Sequence, residues 1–296
     1  MASVLCVGIA TLDYVYAVPD LPNEGTKYRA TALEVVGGGI AANAAVAVAR
    51  LGGKASLLAR LGDDVPGQVI RDGLISDHVD MGLAPAVNGF RSPVSAIMVD
   101  AAGERMIVSY SDPEMPLQPE WLPREVPLAT RAVLGDTRWE DGSLCLFQAA
   151  RKAGIPAILD ADRKPADPSL LAAASHIAFS ELGLAEQTGL TDPAAALHSY
   201  PAGHIWLAVT AGERGVWVRN RGAISHVPAF QVDVVDTLGA GDVWHGAFAL
   251  ALAEVQAEID AVRFANAAAA IKCTRFGGRK GAPSRAEVEQ FLKERT

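Results

Sequence analysis

The sequence contains few cysteines, no long apolar run and no excess of basic residues. Its three cysteines, Cys6, Cys145 and Cys273, lie far apart, so the sequence predicts neither a disulfide framework nor a zinc site. No apolar segment reaches the ~18 residues of a membrane-spanning helix, and the N-terminal residues lack the pattern of a secretory signal peptide. Together these absences predict a protein of the cytoplasm that does not bind membranes.

The charge balance excludes another class of partner. The chain has 34 acidic and 26 basic residues and a formal net charge of -8. Such a surface is unsuited to nucleic acid or to an anionic membrane, because both attract basic proteins. A small solute is therefore the expected partner. Hydrophobic residues make up 50% of the 296 positions, which is enough for a sizeable core.

The order of the segments predicts an α/β fold. Strand-like and helical segments alternate from the buried strand "SVLCVGIA" onward, which is typical of a mostly parallel sheet with helices on both faces. Two stretches interrupt the alternation, at about 14–36 and 91–110, and the second contains two strand-like runs joined at "DAAG". We expect a single domain over residues 1–296, in which these stretches form a small β-sheet that can cover the ligand site as a lid.

The segment "DTLGAGD", residues 236–242, carries the clearest chemical signal. Gly239, Ala240 and Gly241 let the backbone approach a ligand closely, and a helix-forming stretch follows directly. The unpaired N–H groups and the dipole at the start of a helix favour a phosphate. A carboxylate beside a phosphate is repelled unless it handles a proton or a metal ion. Asp242 is therefore the predicted catalytic residue, and a simple helix N-cap is the alternative.

This segment and the upstream "VGGGIAANAAVAVARLGG" together resemble the two signatures of the ribokinase-like (PfkB) carbohydrate kinases. The resemblance implies ATP and magnesium as cofactors, a small sugar as substrate and Asp242 as the base that accepts the sugar's hydroxyl proton. It also implies that the N–H groups of residues 239–241 hold the transferred phosphoryl group, and that Asp13, Gly39 and Asn43 contact the sugar. The alternative is that Gly39 and Asn43 only begin and cap a helix.

The resemblance also assigns a nucleotide side to the site. Thr210, Gly212 and Gly215 match the family's nucleotide loop, and Asn266 lies in a small-residue helix that resembles the wall beside the adenine. A glycine turn between strands needs no ligand, so an ordinary loop is the alternative. Asp236 and the loop "RFGGRKG" correspond to the place where many members bind a monovalent cation, with potassium as the expected ion.

One turn departs from the family's pattern. Many members carry Asn-x-x-Glu there and use it to organise magnesium and phosphate, whereas this chain has Ser180 and Gly183 in "FSELG". Magnesium is still expected, because the phosphates of ATP must be neutralised. The protein groups that orient the magnesium are left open by the sequence.

The predicted small sheet also bears on assembly. In this family a lid sheet with an exposed face often forms a dimer interface, because an open sheet can pair with a second copy. The resemblance therefore implies a homodimer.

Two basic residues indicate the kind of sugar. Lys27, in "EGTKYRA" on the predicted lid, and Arg138, in "DTRWEDG" after a predicted strand, fall at element edges that face the expected cleft. An arginine fork can bind a sulfonate, phosphate or carboxylate at the far end of a sugar. The alternative is that both residues are solvated surface charges.

Closer resemblance favours one anionic substrate. "GTKY", "RWEDG" and "KCTRFGGRKG" are similar to segments of the bacterial 6-deoxy-6-sulfofructose kinases, which phosphorylate the C1 hydroxyl. An asparagine on the lid strand also contacts the sulfonate in that subfamily, and Ser109 is the nearest candidate here. The leading prediction is ATP-dependent phosphorylation of 6-deoxy-6-sulfofructose at C1. The second is a kinase of a neutral sugar or nucleoside (fructose, ribose or adenosine), and the third is a non-catalytic sugar-binding regulator.

Overall fold

The structure, a computed structural model, describes residues 1–201, 203 and 205–295. The strands of these residues form two separate sheets. In chain order they are β1 (Ser3–Val7), β2 (Thr11–Ala17), β3 (Ala32–Gly38), β4 (Lys54–Leu58), β5 (Val79–Asp80), β6 (Val94–Val99), β7 (Arg105–Tyr110), β8 (Thr130–Asp136), β9 (Ala157–Ala161), β10 (His176–Ser180), β11 (Trp206–Thr210), β12 (Val216–Asn220) and β13 (Ala223–Val227).

The helices lie mainly between the strands of the larger sheet. They are α1 (Ile40–Arg50), α2 (Val65–Ser76), α3 (Glu140–Ala153), α4 (Pro168–Ala173), α5 (Glu181–Thr188), α6 (Pro193–Ser199), α7 (Ala240–Ala253), α8 (Glu258–Cys273) and α9 (Arg285–Lys293). Short 3-10 turns span Gly212–Arg214 and Gly278–Gly281. Among the described residues, no helix combines the length and the apolar composition that crossing a membrane requires.

The larger sheet has nine strands in the order β13-β12-β11-β10-β9-β8-β1-β4-β5. The strands from β11 to β5 run parallel to their neighbours, and β12 and β13 add an antiparallel edge. Parallel neighbours need crossover connections, and helices supply most of them here. Because parallel strands all end at one edge of a sheet, residues that follow β8, β9 and β10 lie near one another, where such folds bind ligands.

Apolar side chains fill both faces of the larger sheet. Val4 and Cys6 of β1 belong to the core shared with α1, α7 and α8, whereas Leu5 and Val7 belong to the core shared with α3 to α6. This alternation follows from the two-residue period of a strand. A strand that is buried on both faces has a continuous apolar sequence, as β1 does.

The smaller sheet has the order β3-β2-β6-β7 and combines two separate parts of the chain. Its strands span residues 11–38 and 94–110, whereas the predicted bounds are 14–36 and 91–110. Gly8 ends β1 where the backbone passes close to Asp136, because an added Cβ at Gly8 would lie 2.1 Å from Asp136 Oδ2. Asp13 lies on β2, within the smaller sheet.

Small residues bring helices α1 and α7 into close contact. Gly246 of α7 faces Ala44 of α1, and an added Cβ at Gly246 would lie 2.4 Å from the Ala44 carbonyl oxygen. Each helix begins directly after a glycine with positive φ, Gly39 for α1 and Gly239 for α7. This packing places the N-terminal ends of the two helices side by side.

Candidate active site

The N-terminal ends of α1 and α7 are joined by one hydrogen bond. Asn43 Nδ2, in α1, donates to Asp242 Oδ2, in α7, at 2.6 Å, although the two residues are 199 positions apart in sequence. Asn43 Oδ1 is buried and has no partner among the described residues. A buried acceptor without a partner is costly unless a ligand donates to it. This oxygen therefore marks a place for a ligand hydroxyl.

Asp242 is half-buried next to Asn43, which lines a cavity. Removal from water raises its pKa, and the negative charge of Asp160 raises it further. The hydrogen bond from Asn43 and the positive charge of His245 oppose this rise, and the balance leaves a pKa of about 7. A general base is most effective when its pKa lies near the working pH. Asp242 is thus able to accept a proton near neutral pH.

His245 lies one turn after Asp242 and is buried. Its Nδ1 lies 2.8 Å from the Gly241 carbonyl oxygen and 3.0 Å from Asp160 Oδ2, and its Nε2 lies 3.3 Å from the Ala178 carbonyl oxygen. Both ring nitrogens face acceptors, and only the doubly protonated ring can donate from both. Burial alone would lower the pKa of His245, but Asp160 and these hydrogen bonds raise it to about 9. His245 is therefore a buried cation at neutral pH.

Neither His245 nor Asp160 is among the site residues predicted from the sequence. A signal was present, because each is a polar residue inside an apolar segment, "VWHGAFALALAEV" and "PAILDAD". A buried charge needs a partner of opposite sign. The pattern could have predicted a buried acid and a buried base, but not that they would pair with each other beneath Asp242.

The turn before α7 leaves backbone N–H groups free at the start of the helix, next to Asp242. Gly239 has a φ of 75°, in the left-handed region that favours glycine. Within the described part of the chain, the N–H groups of Gly239, Gly241 and Asp242 have no acceptor, whereas that of Ala240 donates to the Thr237 carbonyl oxygen at 3.1 Å. Free N–H groups at a helix N-terminus suit an anion. The structure thus differs from the prediction for Ala240, because the turn itself uses that N–H.

Asp236, the predicted ligand of a monovalent cation, begins this turn and is buried. Its carboxylate lies 3.0 Å from Lys272 Nζ and 3.0 Å from Arg105 Nη2, which extends from the smaller sheet. Burial alone would raise the pKa of Asp236, but hydrogen bonds from the Leu238 N–H and from Lys272 hold that pKa below its usual value. The carboxylate is therefore ionised and paired with two basic side chains.

Asp13 is one of the carboxylates in the cavity that Asn43 also lines. Thr11 Oγ1 donates to Asp13 Oδ1 at 2.7 Å, and Gly38 leaves room for the other oxygen, since a Cβ there would lie 1.9 Å from Asp13 Oδ2. Burial raises the pKa of Asp13, while hydrogen bonds from Thr11 and Ser95 oppose the rise. A carboxylate held in this way can accept hydrogen bonds from sugar hydroxyls.

Ser109 lies on the same face of the smaller sheet as Asp13. The strand register pairs Asp13 with Ser95, and Ser95 with Ser109. The hydroxyl oxygens of the two serines are 3.3 Å apart. Ser109 is therefore two strands away from Asp13.

The cavity has a volume of about 780 Å³. Asp13, Gly38, Asn43, Leu238 and Arg279 are among the residues that line it. Gly39 lies between β3 and α1, directly after the lining residue Gly38, and only glycine fits there, because a Cβ would lie 2.5 Å from the Ile9 carbonyl oxygen. Small-molecule sites typically have volumes of about 300–1,000 Å³, so a sugar fits this space.

Lys27 and Arg138 do not line this cavity. Lys27 is exposed in the loop between β2 and β3. Arg138 follows β8, and its guanidinium pairs with the carboxylate of Asp162, which follows β9. The expectation that two free cations face the sugar cavity is therefore contradicted, because one side chain lies outside it and the other is already paired.

The predicted nucleotide loop follows β11. Thr210 ends that strand, and its hydroxyl donates to the Phe179 carbonyl oxygen at 3.3 Å. Gly212 has a φ of 56° and open space around it, so a ligand can approach its backbone. Packing alone requires glycine at position 215, because a Cβ there would lie 2.3 Å from the Val227 carbonyl oxygen of β13.

Asn266 is buried in the core and not at a surface that adenine could reach. Its Oδ1 accepts a hydrogen bond from Trp244 Nε1 at 2.8 Å, and its Nδ2 donates to the Pro228 carbonyl oxygen at 3.1 Å. Both ends of the amide are thus used within the protein. The structure corrects the predicted nucleotide contact: Asn266 joins α8 to α7.

Ser180 and Gly183 form the cap of α5. Ser180 Oγ accepts from the Gly183 N–H at 2.9 Å and donates to the Asp162 carbonyl oxygen at 2.9 Å. A Cβ at Gly183 would lie 2.2 Å from the Ala161 carbonyl oxygen. The glutamate of the family's pattern would therefore not fit unless the end of β9 moved.

Comparisons with known proteins identify the family. The family model for pfkB family carbohydrate kinases matches residues 1–285. This chain belongs to the pfkB family of carbohydrate kinases. This pfkB kinase is 30% identical to the ribokinase of Bacillus subtilis (strain 168) over 310 aligned positions. The alignment covers 99% of this chain and 100% of that protein.

Two solved structures resemble this pfkB kinase along almost its whole length. A putative ribokinase from Agrobacterium tumefaciens has a TM-score of 0.90 and 39% identity, with 99% of this chain and 98% of that chain covered. Arabidopsis thaliana ribokinase complexed with ribose and ATP has a TM-score of 0.86 and 26% identity, with 99% of each chain covered. These similarities confirm the predicted ribokinase-like fold and an ATP-dependent sugar kinase.

The charges around Asp242 predict how the activity of this pfkB kinase depends on pH. A base acts only when deprotonated, so kcat/KM for the sugar should fall as the pH drops through about 7, the pKa of Asp242. The positive charge of His245 lowers that pKa. Replacing His245 by Gln removes the charge, and we expect the acid limb to move to higher pH by about one unit.

The measurement is kcat/KM against pH at saturating ATP for the wild type, His245→Gln and His198→Gln. His198 is an exposed histidine of α6, so its replacement should leave the profile unchanged. Circular dichroism at each pH separates titration from unfolding. An acid limb that stays in place or moves to lower pH in His245→Gln would contradict the assignment.

Proposed function

We propose that this kinase transfers the γ-phosphate of ATP to a primary hydroxyl of a monosaccharide, with Asp242 as the general base. The observation that carries the proposal is the hydrogen bond between Asn43 and Asp242. It joins a carboxylate with a pKa of about 7 to an amide whose own oxygen has no partner. If one sugar hydroxyl donates to the Asn43 oxygen, the adjacent hydroxyl of the same sugar would lie close to the Asp242 carboxylate.

The transfer needs an aligned acceptor, an anion site and a proton acceptor. In the proposed step the hydroxyl oxygen forms a bond to the γ-phosphorus, the bond from that phosphorus to the bridging oxygen of ADP breaks, and Asp242 takes the hydroxyl proton. Asp13 accepts hydrogen bonds from other hydroxyls and fixes the sugar. Asn43 keeps the Asp242 carboxylate in place without protonating it.

The free N–H groups of Gly239, Gly241 and Asp242 fit the transferred phosphoryl group. The loop that contains Thr210 and Gly212 supports a nucleotide on the side of β11, where Gly212 leaves its backbone open. When bound with ATP, magnesium supplies the positive charge that neutralises the phosphates. The residues of this chain then position the sugar, accept the proton and hold the phosphate oxygens.

Exchanging Asp242 for Asn tests the base directly. The N–H donors of the turn remain, so we expect kcat to fall by about 10²–10⁴-fold while the Kd for ATP changes little. Release of ADP with a panel of sugars gives kcat, and calorimetry gives the Kd. A variant that keeps more than about a tenth of the wild-type kcat would remove Asp242 from this role.

The smaller sheet is proposed to act as a lid and as a dimer interface. Arg105 of β7 pairs with Asp236 at the start of the turn before α7, residues 236–239, which we call the phosphate turn. This ion pair supports closure of the smaller sheet over the cavity. Leu33, Val35 and Val108 leave about half of their surface exposed on the opposite face, which supports pairing with a second copy. ATP as donor is consistent with a place in the cytoplasm.

X-ray scattering in solution tests both roles. The forward intensity should correspond to twice the mass of the 30.9 kDa chain. Closure of the lid over a bound sugar would exclude water from the site and bring the smaller sheet closer to the larger one. The radius of gyration should therefore decrease when the sugar is added. A monomeric mass would refute the interface, and an unchanged radius would refute the closure.

A neutral pentose or ketohexose is the leading substrate class. Asp13 lines the cavity together with Asn43, and its carboxylate accepts hydroxyl donors but repels an anion. Three arginines that also line the cavity already face carboxylates: Arg50 and Arg279 face Asp77, and Arg105 faces Asp236. Arg138 pairs with Asp162, and Lys27 does not line the cavity. Relatives that are named ribokinase also support a neutral sugar.

The second candidate is an anionic ketose such as 6-deoxy-6-sulfofructose, phosphorylated at its C1 hydroxyl. Ser109 favours it, because its hydroxyl lies on the same face of the sheet as Asp13 and is exposed. Arg138 could serve only if a sulfonate took the place of Asp162 as its partner. Such an exchange replaces one partly exposed ion pair by another and leaves Asp162 without its arginine, so it offers little net gain, and this candidate comes second.

Replacing Arg138 by Ala separates the two classes. For a neutral substrate, the wild type should have a kcat/KM for ribose or fructose at least tenfold above that for 6-deoxy-6-sulfofructose, and the variant should change this ratio less than about twofold. Arg131→Ala, at an exposed arginine of β8, is the matched control. A wild type that prefers the sulfosugar, with a loss of about 10- to 150-fold for it alone in Arg138→Ala, would establish the anionic class instead.

A further inference from the structure

Lys272, near the end of α8, is fully buried beneath the turn that precedes α7. Its Nζ donates to the Asp236 carbonyl oxygen at 2.6 Å and to Asp236 Oδ2 at 3.0 Å. A buried ammonium without a partner is very costly, so these contacts hold the charge at one place. The positive charge therefore lies where the family resemblance predicts a monovalent cation.

The Asp236 carboxylate has no oxygen left for an exchangeable cation. Oδ1 accepts from the Leu238 N–H at 2.9 Å and from Arg105 Nη2 at 3.0 Å. Oδ2 accepts from Lys272 Nζ at 3.0 Å and from the N–H groups of residues 277 and 278 at 3.2 and 3.1 Å. A carboxylate offers about four lone-pair positions, and five donors already share them.

Neighbouring backbone oxygens are also used. The Cys273 carbonyl oxygen accepts from the N–H groups of Val235 and Asp236 at 2.8 and 3.1 Å, and the Lys272 carbonyl oxygen accepts from the Arg275 N–H at 3.0 Å. A bare cation needs several oxygen lone pairs directed at it. The donor set here is complementary to an ammonium and not to a metal ion, so a potassium ion does not fit these residues.

We propose that the ammonium of Lys272 is a built-in positive charge that takes the place of an exchangeable monovalent cation beneath the phosphate turn. Through Asp236 and the Leu238 N–H, it holds the turn whose free N–H groups are directed at the phosphate. The inference rests on the proposed phosphate site at this turn. Lys272 is a positioning residue, because it contacts Asp236 and not the phosphate.

The first test uses the unmodified protein without potassium or sodium. ATP is supplied as its Tris salt, and ionic strength is set with tetramethylammonium chloride or with potassium chloride. We expect kcat/KM and the melting temperature to be the same in the two salts, with less than about a twofold difference in rate. A saturable activation by potassium of more than about fivefold would overturn the proposal.

Lys272→Met removes the charge and keeps a flexible apolar side chain of similar length. In tetramethylammonium chloride we expect kcat to fall at least tenfold, because Asp236 loses a buried partner and the turn loses its support. Potassium or ammonium should then restore part of the activity and raise the melting temperature of the variant only. Lys152→Met, at an exposed lysine of α3, should behave as the wild type in both salts.

Two further outcomes are decisive. If Lys272→Met does not fold in either salt, rubidium-soaked crystals of the wild type decide by anomalous scattering: a rubidium ion on Asp236 overturns the proposal, and its absence at high concentration supports it. If no sugar is phosphorylated in any salt, the proposed function fails. The melting comparison needs no substrate, so it still tests the role of Lys272.

Discussion

The hydrogen bond between Asn43 and Asp242 is the contact on which the rest of the site depends. It joins the first turns of α1 and α7, which come from opposite ends of the chain. The contact exists because Ala44 and Gly246 let the two helix backbones approach closely. A larger side chain at position 246 would separate the helices and also the carboxylate from its amide. The packing of small residues therefore sets the distance between Asn43 and Asp242.

Buried charges below this contact set the chemistry of Asp242. Asp160 raises the pKa of Asp242, and His245 lowers it, while the two partners neutralise each other at 3.0 Å. A carboxylate with an ordinary pKa would be a weak base near neutral pH. Desolvation and these opposing charges together bring the pKa of Asp242 to about 7.

A second set of charges supports the turn that precedes α7. Asp236 accepts hydrogen bonds from Lys272 of α8 and Arg105 of β7, and it holds the Leu238 N–H. One carboxylate thus joins the smaller sheet, the turn and the end of α8. The smaller sheet is thereby linked physically to the turn before α7, because Arg105 of β7 pairs with Asp236.

The family, the α/β order and the chemical character of residues 239–242 could be predicted from the sequence, since they depend on local patterns of apolar and glycine residues. The contacts of those residues became known only from the folded chain. It buried Asn266, paired Arg138 with Asp162 and made His245 a cation. These outcomes depend on contacts between residues far apart in the chain, whose distances and desolvation no local pattern encodes.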